Sequence, residues 1–158
     1  MKKAPYLVLL LVLAGGLVAC GGGQSTKQDP NKAAATAGVT LRQLYFDSSY
    51  DLAYASLDSS FRSITTLEAL KSIITKEADL LGPISEIRAE AYLPAKGSKS
   101  LVLFFQGTHE KGPAYYRLDM AGDANGYRVA SLQVGGGPFA EASGSDAVQF
   151  KDPLVISR

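Results

Sequence analysis

Apolar and polar residues change rhythm four times along this chain of 158 residues. An apolar run from Ala4 to Ala19 gives way to the polar, glycine-rich stretch Gly21-Gly22-Gly23-Gln24-Ser25-Thr26. Helical spacing then dominates to Leu81, the period changes to an alternating one between Ile84 and Val134, and neither period survives beyond Gly135. A period of 3.6 followed by a period of 2 marks helices first and strands second.

Two helix starts compete after the spacer. Asp29-Pro30 offers an N-cap with proline at the first helical position, propagated by Ala33 to Ala37. Thr40-x-x-Gln43 offers a capping box. Gly38 lies between them and costs a helix about 1 kcal/mol relative to alanine, so the pattern favours a helix firm from Thr40 and frayed before it. Leu41, Leu44 and Tyr45 share its apolar face. Asp47-Ser48-Ser49 interrupts, Ser48 and Asp51 can cap a second helix, and Tyr50, Ala53, Tyr54, Leu57 and Phe61 form its stripe. A third helix opens with Thr65-x-x-Glu68 and carries Leu67, Leu70, Ile73, Ile74, Ala78 and Leu81 on one side. Gly82-Pro83 stops it.

Ile87, Ala89, Ala91 and Leu93 then alternate with polar residues as far as Pro94. Leu101 to Phe105 is apolar on both faces, which predicts a central strand. Gly107 to Pro113 reads as the next turn, Tyr116, Leu118 and Met120 as a third strand, and Asn125-Gly126 as a hairpin before a fourth, Tyr127 to Val134. Links this short require antiparallel pairing. The expected fold is α+β: N-terminal helices packed on a curved four-stranded antiparallel meander spanning residues 39–134. In the remainder, 135–158, Ala147 to Phe150 and Leu154 to Ile156 are small apolar patches that dock loosely, in part as an edge strand.

Charge and the single cysteine narrow the setting. The full chain carries 16 basic and 15 acidic residues. Near-neutrality without a basic cluster excludes a nucleic-acid partner. Lys2 and Lys3 precede the apolar run, which is shorter than the roughly 20 residues a membrane span needs and is broken by Gly15-Gly16. It therefore reads as a signal peptide, residues 1–19. Its end, Leu17-Val18-Ala19-Cys20, resembles the bacterial lipobox at all four positions. The resemblance implies a diacylglyceryl group on the Cys20 sulfur, cleavage before Cys20, and a new N-terminus open to acylation. Two or three acyl chains far exceed the marginal hold of one myristoyl chain. The expected location is the bacterial cell envelope, on a membrane surface: the outer membrane where there are two membranes, otherwise the outer face of the cell membrane. Residues 20–38 are then the lipidated cysteine and a flexible linker.

The order of elements resembles the cystatin-like cone of the nuclear-transport-factor-two-like superfamily. Tyr50-Asp51-Leu52-Ala53-Tyr54, then Phe61-Arg62, and Leu81-Gly82-Pro83-Ile84-Ser85 are similar to stretches of small uncharacterised bacterial members, which commonly carry tryptophan where this chain has Tyr127. The superfamily holds isomerases, dehydratases and pure binding modules, so the resemblance implies a fold and not one activity.

Chemistry-bearing residues are sparse. His109 lies in the polar stretch Gly107–Gly112, where a solvated side chain is expected. One histidine without a free cysteine gives no metal-ligand spacing, so no metal and no cofactor are expected. Ketosteroid-isomerase-type members use an Asp base inside the cone, but Asp119 alternates away from Tyr116, Leu118 and Met120. Asp47 and Asp58 are explained by helix ends, and Gly135-Gly136-Gly137 lacks the helix a phosphate loop needs. No catalytic residues are assigned. Tyr45, Tyr50, Tyr54, Tyr92, Tyr116 and Tyr127 supply a candidate pocket lining, each combining contact area with a hydroxyl. The leading expectation is a noncatalytic lipoprotein that binds an envelope protein or a small apolar ligand. The alternatives are a small isomerase- or dehydratase-like enzyme, which needs a buried Asp or His facing tyrosines, and a structural envelope subunit.

Overall fold

The computed structural model describes residues 27–158; the expected signal peptide, Cys20 and the glycine-rich spacer lie outside them. The fold is α+β. Four helices, α1 (Pro30–Tyr45), α2 (Tyr50–Ser56), α3 (Ser59–Ile64) and α4 (Leu67–Leu81), precede an antiparallel sheet. Strands β1 (Ile84–Pro94), β2 (Leu101–His109), β3 (Gly112–Gly122) and β4 (Tyr127–Gly135) pair in sequence order. The tail adds β5 (Val148–Gln149) and β6 (Val155–Ser157), which pair with β1 at Ala91–Tyr92 and Glu86–Arg88, so the sheet has six strands rather than four. No helix among the described residues is long and apolar enough to cross a membrane.

The earlier of the two competing helix starts wins. Asp29 caps α1 by accepting from Lys32 N at 3.0 Å, and Pro30 fits the first turn. Residues 30–38 are thus helix, not linker. Gly38 is tolerated because the tail needs its bare backbone: a Cβ there would stand 2.6 Å from the Leu154 side chain. Packing offsets the propensity cost that seemed to favour Thr40, which lies buried in mid-helix. The expected second helix is two, because Asp58 starts α3 afresh by accepting from Ser60 N at 2.9 Å. Thr66, not Thr65, caps α4. Gly82 ends it as expected, at φ 77°, a conformation glycine adopts without penalty.

The helices pack on one face of the sheet. Leu41, Leu44, Leu70 and Ile74 meet Ile87, Ala89, Leu103, Phe105, Tyr116 and Leu118 in a single core. β2 lies between β1 and β3, in the middle of the meander, as its two apolar faces require. Leu101, Leu103 and Phe105 enter the core, while Phe104 is buried on the opposite face against Phe139 of the tail, ring centres 6.2 Å apart. A register shift between Ala89 and Ala91 breaks the simple alternation expected of β1. Beyond it Ala91 pairs with outward Phe104, and Tyr92 pairs with inward Leu103.

The turn expected from Gly107 to Pro113 is much shorter. β2 continues through Gly107 and Thr108 to His109, and Glu110-Lys111 alone connect it to β3. Gly107 is there for a close approach. A Cβ would stand 2.8 Å from the Tyr116 ring and hydroxyl and 3.1 Å from Ile84.

Candidate functional site

The extension of β2 gives His109 the same parity as Leu101, Leu103, Phe105 and Gly107, and so turns it inward. It is not solvated: the side chain is 1% exposed. Its Nδ1 lies 2.9 Å from the carbonyl oxygen of Gly82. A carbonyl only accepts, so Nδ1 carries the hydrogen. Its Nε2 lies 3.0 Å from Tyr116 Oη and 3.3 Å from Glu77 Oε1.

Glu77 is the second buried polar group. It stands on the apolar stripe of α4, one turn past Ile74, at a place where Leu70 and Ile74 point into the core. Ile73, assigned to that stripe by the sequence pattern, is 47% exposed instead. A buried carboxylate is costly unless its oxygens are satisfied. Here Tyr116 Oη donates to Oε1 and Tyr45 Oη donates to Oε2, each at 2.7 Å. The two tyrosine rings lie 5.2 Å apart. Tyr45 from α1, Glu77 from α4, the carbonyl of its C-cap Gly82, His109 from β2 and Tyr116 from β3 form one network joining the helical layer to the sheet.

The electrostatics follow from burial. The Tyr116 hydroxyl is pushed well above its ordinary value, first by loss of water and then by the Glu77 charge. Tyr45 is raised well above 10.0 by burial, by Tyr116 and by Glu77. Both stay protonated and act as donors. With Tyr116 donating to Glu77, its oxygen offers Nε2 only a lone pair, so a hydrogen on Nε2 completes the bonding. Moving one proton from Nε2 through Tyr116 to Glu77 leaves the same net charge. The arrangement can therefore relay a proton internally between an imidazole and a carboxylate. Glu77 and His109 are only a pair; among the described residues no group of three or more His, Cys, Asp or Glu could hold a metal ion.

Of the six tyrosines expected to line a pocket, Tyr45 and Tyr116 come together in this network. Tyr50 and Tyr54 pack against the core from α2, with Tyr54 Oη donating to the Thr65 carbonyl at 2.9 Å. Tyr92 stacks near Phe150, ring centres 5.2 Å apart. Tyr127 accepts from Asp29 N at 2.8 Å at the start of β4. Asp119 faces away from the core as expected and pairs with Arg117 at 3.0 Å. Asp58 caps α3, as a helix-end aspartate should. Cys20 lies outside the described residues.

A different surface provides a cavity. On the sheet face opposite the helices, the tail crosses Phe104 and leaves a depression of about 170 Å³. Phe104, Tyr115, Phe139 and Ala142 line it, with Glu90 and Gln106 also bordering it. Pattern reading missed this site because its roof comes from the aperiodic tail. The one available signal was Phe104, which had to be covered by something. Glu77 was likewise legible as a charge falling on an apolar stripe, and His109 as an odd-numbered residue in phase with the inward positions of β2.

No family model matches the chain, and no curated protein and no solved structure shows significant similarity to it.

Proposed function

We propose that this chain is a lipid-anchored protein of the bacterial envelope whose domain is a noncatalytic binding module. The observation that carries the binding reading is the depression over Phe104, apolar at its floor and polar at its border. Its size selects the ligand class. At about 170 Å³ it falls below the roughly 300–1,000 Å³ of a small-molecule pocket. It is close to a cavity of about 150 Å³ that takes one benzene ring. The fitting occupant is a single aromatic or branched aliphatic side chain of a partner protein, with Glu90 and Gln106 supplying polar groups at the border. The anchor rests on Leu17-Val18-Ala19-Cys20 and the lysines before it. Helices followed by an antiparallel meander support assigning the domain to the cystatin-like cone of the nuclear-transport-factor-two-like superfamily.

One observation favours a second reading, an acid–base enzyme: the His109–Tyr116–Glu77 relay is the buried imidazole and carboxylate facing tyrosines that such chemistry needs. The two readings separate in one experiment, complementation of a deletion strain. Ala142→Trp plugs the depression and leaves the relay intact; Tyr116→Phe breaks the relay and leaves the depression intact. The binding reading expects loss of function in Ala142→Trp and retention in Tyr116→Phe at matched protein levels. The opposite pair of results replaces it with the enzyme reading.

A further inference from the structure

The chain joins its domain at one defined end of the sheet. Gln28 Nε2 lies 2.6, 2.9 and 2.8 Å from the carbonyl oxygens of Ala95, Ser98 and Ser100, the turn between β1 and β2. Asp29 N donates to Tyr127 Oη at 2.8 Å, at the foot of the turn between β3 and β4. Lys32 runs alongside that second turn, its Cε 3.7 Å from where a Gly126 Cβ would sit. Pro94 pairs with Leu101, Leu101 with Met120, and Gly122 with Tyr127, so both turns share one end of the sheet. His109, Gly112 and the Glu110-Lys111 turn occupy the other.

Seven residues lie between Cys20 and Gln28, so eight Cα-to-Cα steps join them. Fully extended they reach at most about 29 Å, and as a glycine-rich coil about 16 Å. β2 alone, nine residues and so eight steps, is about 27 Å long. Only a fully stretched spacer spans the sheet; at coil length, about 16 Å, a lipid on Cys20 enters the bilayer beside turns 95–100 and 123–126 and not beside the Glu110-Lys111 turn. We infer that the end carrying turns 95–100 and 123–126 stands against the headgroup layer of the anchoring membrane, with the Glu110-Lys111 end held away from it. The inference rests on the lipid-anchor reading. The depression over Phe104 lies on the flank of the sheet, open sideways to a partner.

The test uses the mature lipoprotein in vesicles of phosphatidylcholine and phosphatidylglycerol. Lys96→Cys and Lys111→Cys, both at exposed positions, each receive a fluorophore, Cys20 being blocked by its lipid. A quencher carried on lipid headgroups reads proximity. Quenching several-fold stronger at position 96 than at 111 is expected, and equal or reversed quenching overturns the orientation. Doubling the spacer by a Gly-Ser insertion after Gly23 should shrink the difference; a difference that survives it overturns the tether as the cause. Labelling with a fatty-acid analogue, compared with Cys20→Ser, checks the anchor separately. An unlabelled wild type brings down the anchor and the orientation together, whereas labelled protein with equal quenching refutes the orientation alone.

Discussion

Tyr116→Phe isolates what the buried network contributes. The substitution deletes one hydroxyl from a ring that is 0% exposed and leaves the rest of its packing in place. That hydroxyl donates to Glu77 Oε1 at 2.7 Å and meets His109 Nε2 at 3.0 Å. A hydrogen bond to a charged group contributes about 1.5–3 kcal/mol. The direct approach of Nε2 to Glu77 Oε1, 3.3 Å, compensates in part, which places the expected loss near 2 kcal/mol. For a domain of this size that lowers Tm by about 6–10 °C. Tyr45→Phe removes a bond of the same length to the other carboxylate oxygen. Its ring packs against the core less completely than that of Tyr116 and its hydroxyl meets Glu77 without also meeting His109, so the expected loss is about 1–2 kcal/mol. Urea unfolding of residues 20–158 with Cys20→Ser measures both. A Tyr116→Phe midpoint within error of the parent, or a larger loss for Tyr45→Phe, refutes the claim that burial makes this network stabilising.

Alkaline pH should destabilise the domain through the same residues. The hydroxyls of Tyr45 and Tyr116 are raised in the folded state, so their contribution is fully present below about pH 10 and is lost as pH rises beyond it, because only the unfolded chain ionises them there. Each costs up to about 1.4 kcal/mol per pH unit; tyrosinate absorbance should rise together with unfolding for these two and before it for exposed tyrosines. Gly107→Ala forces a methyl against Tyr116 and Ile84 and should cost about 1–3 kcal/mol, read as a lower urea midpoint, with the combination Gly107→Ala and Tyr116→Leu less than additive. Leu103→Asp buries an unpaired charge at 0% exposure; against a total stability of about 5–15 kcal/mol the domain should lose its cooperative thermal transition.

The sequence pattern reached most of the architecture because the decisive signals were local. Gly82-Pro83 ends α4, Asn125-Gly126 makes the β3–β4 turn, and the doubly apolar Leu101–Phe105 run lies mid-sheet. What it missed depended on contacts distant in sequence. Gly38 looked like a helix breaker until Leu154 packed on it, and Gly107 looked like a turn until Tyr116 lay across it. Reading Gly107 as a turn cut β2 short and left His109 in solvent; once the strand runs on, its parity decides the matter. Val155–Ser157 shows no lasting period because three residues are enough to pair with β1. The network was hidden for the same reason: Glu77 is a single charge on an apolar stripe, explained only by the two tyrosines that reach it.

The binding reading is tested most directly in living cells by a photoreactive phenylalanine placed at Ser143, an exposed position on the wall of the depression, with the same residue at exposed Lys76 on α4 as control. Mass spectrometry of the adducts reads what is attached. The account predicts a discrete protein adduct from position 143 that is absent from position 76 and disappears when Ala142→Trp is added. Identical adducts from both positions, or an adduct at 143 that survives Ala142→Trp, contradicts it.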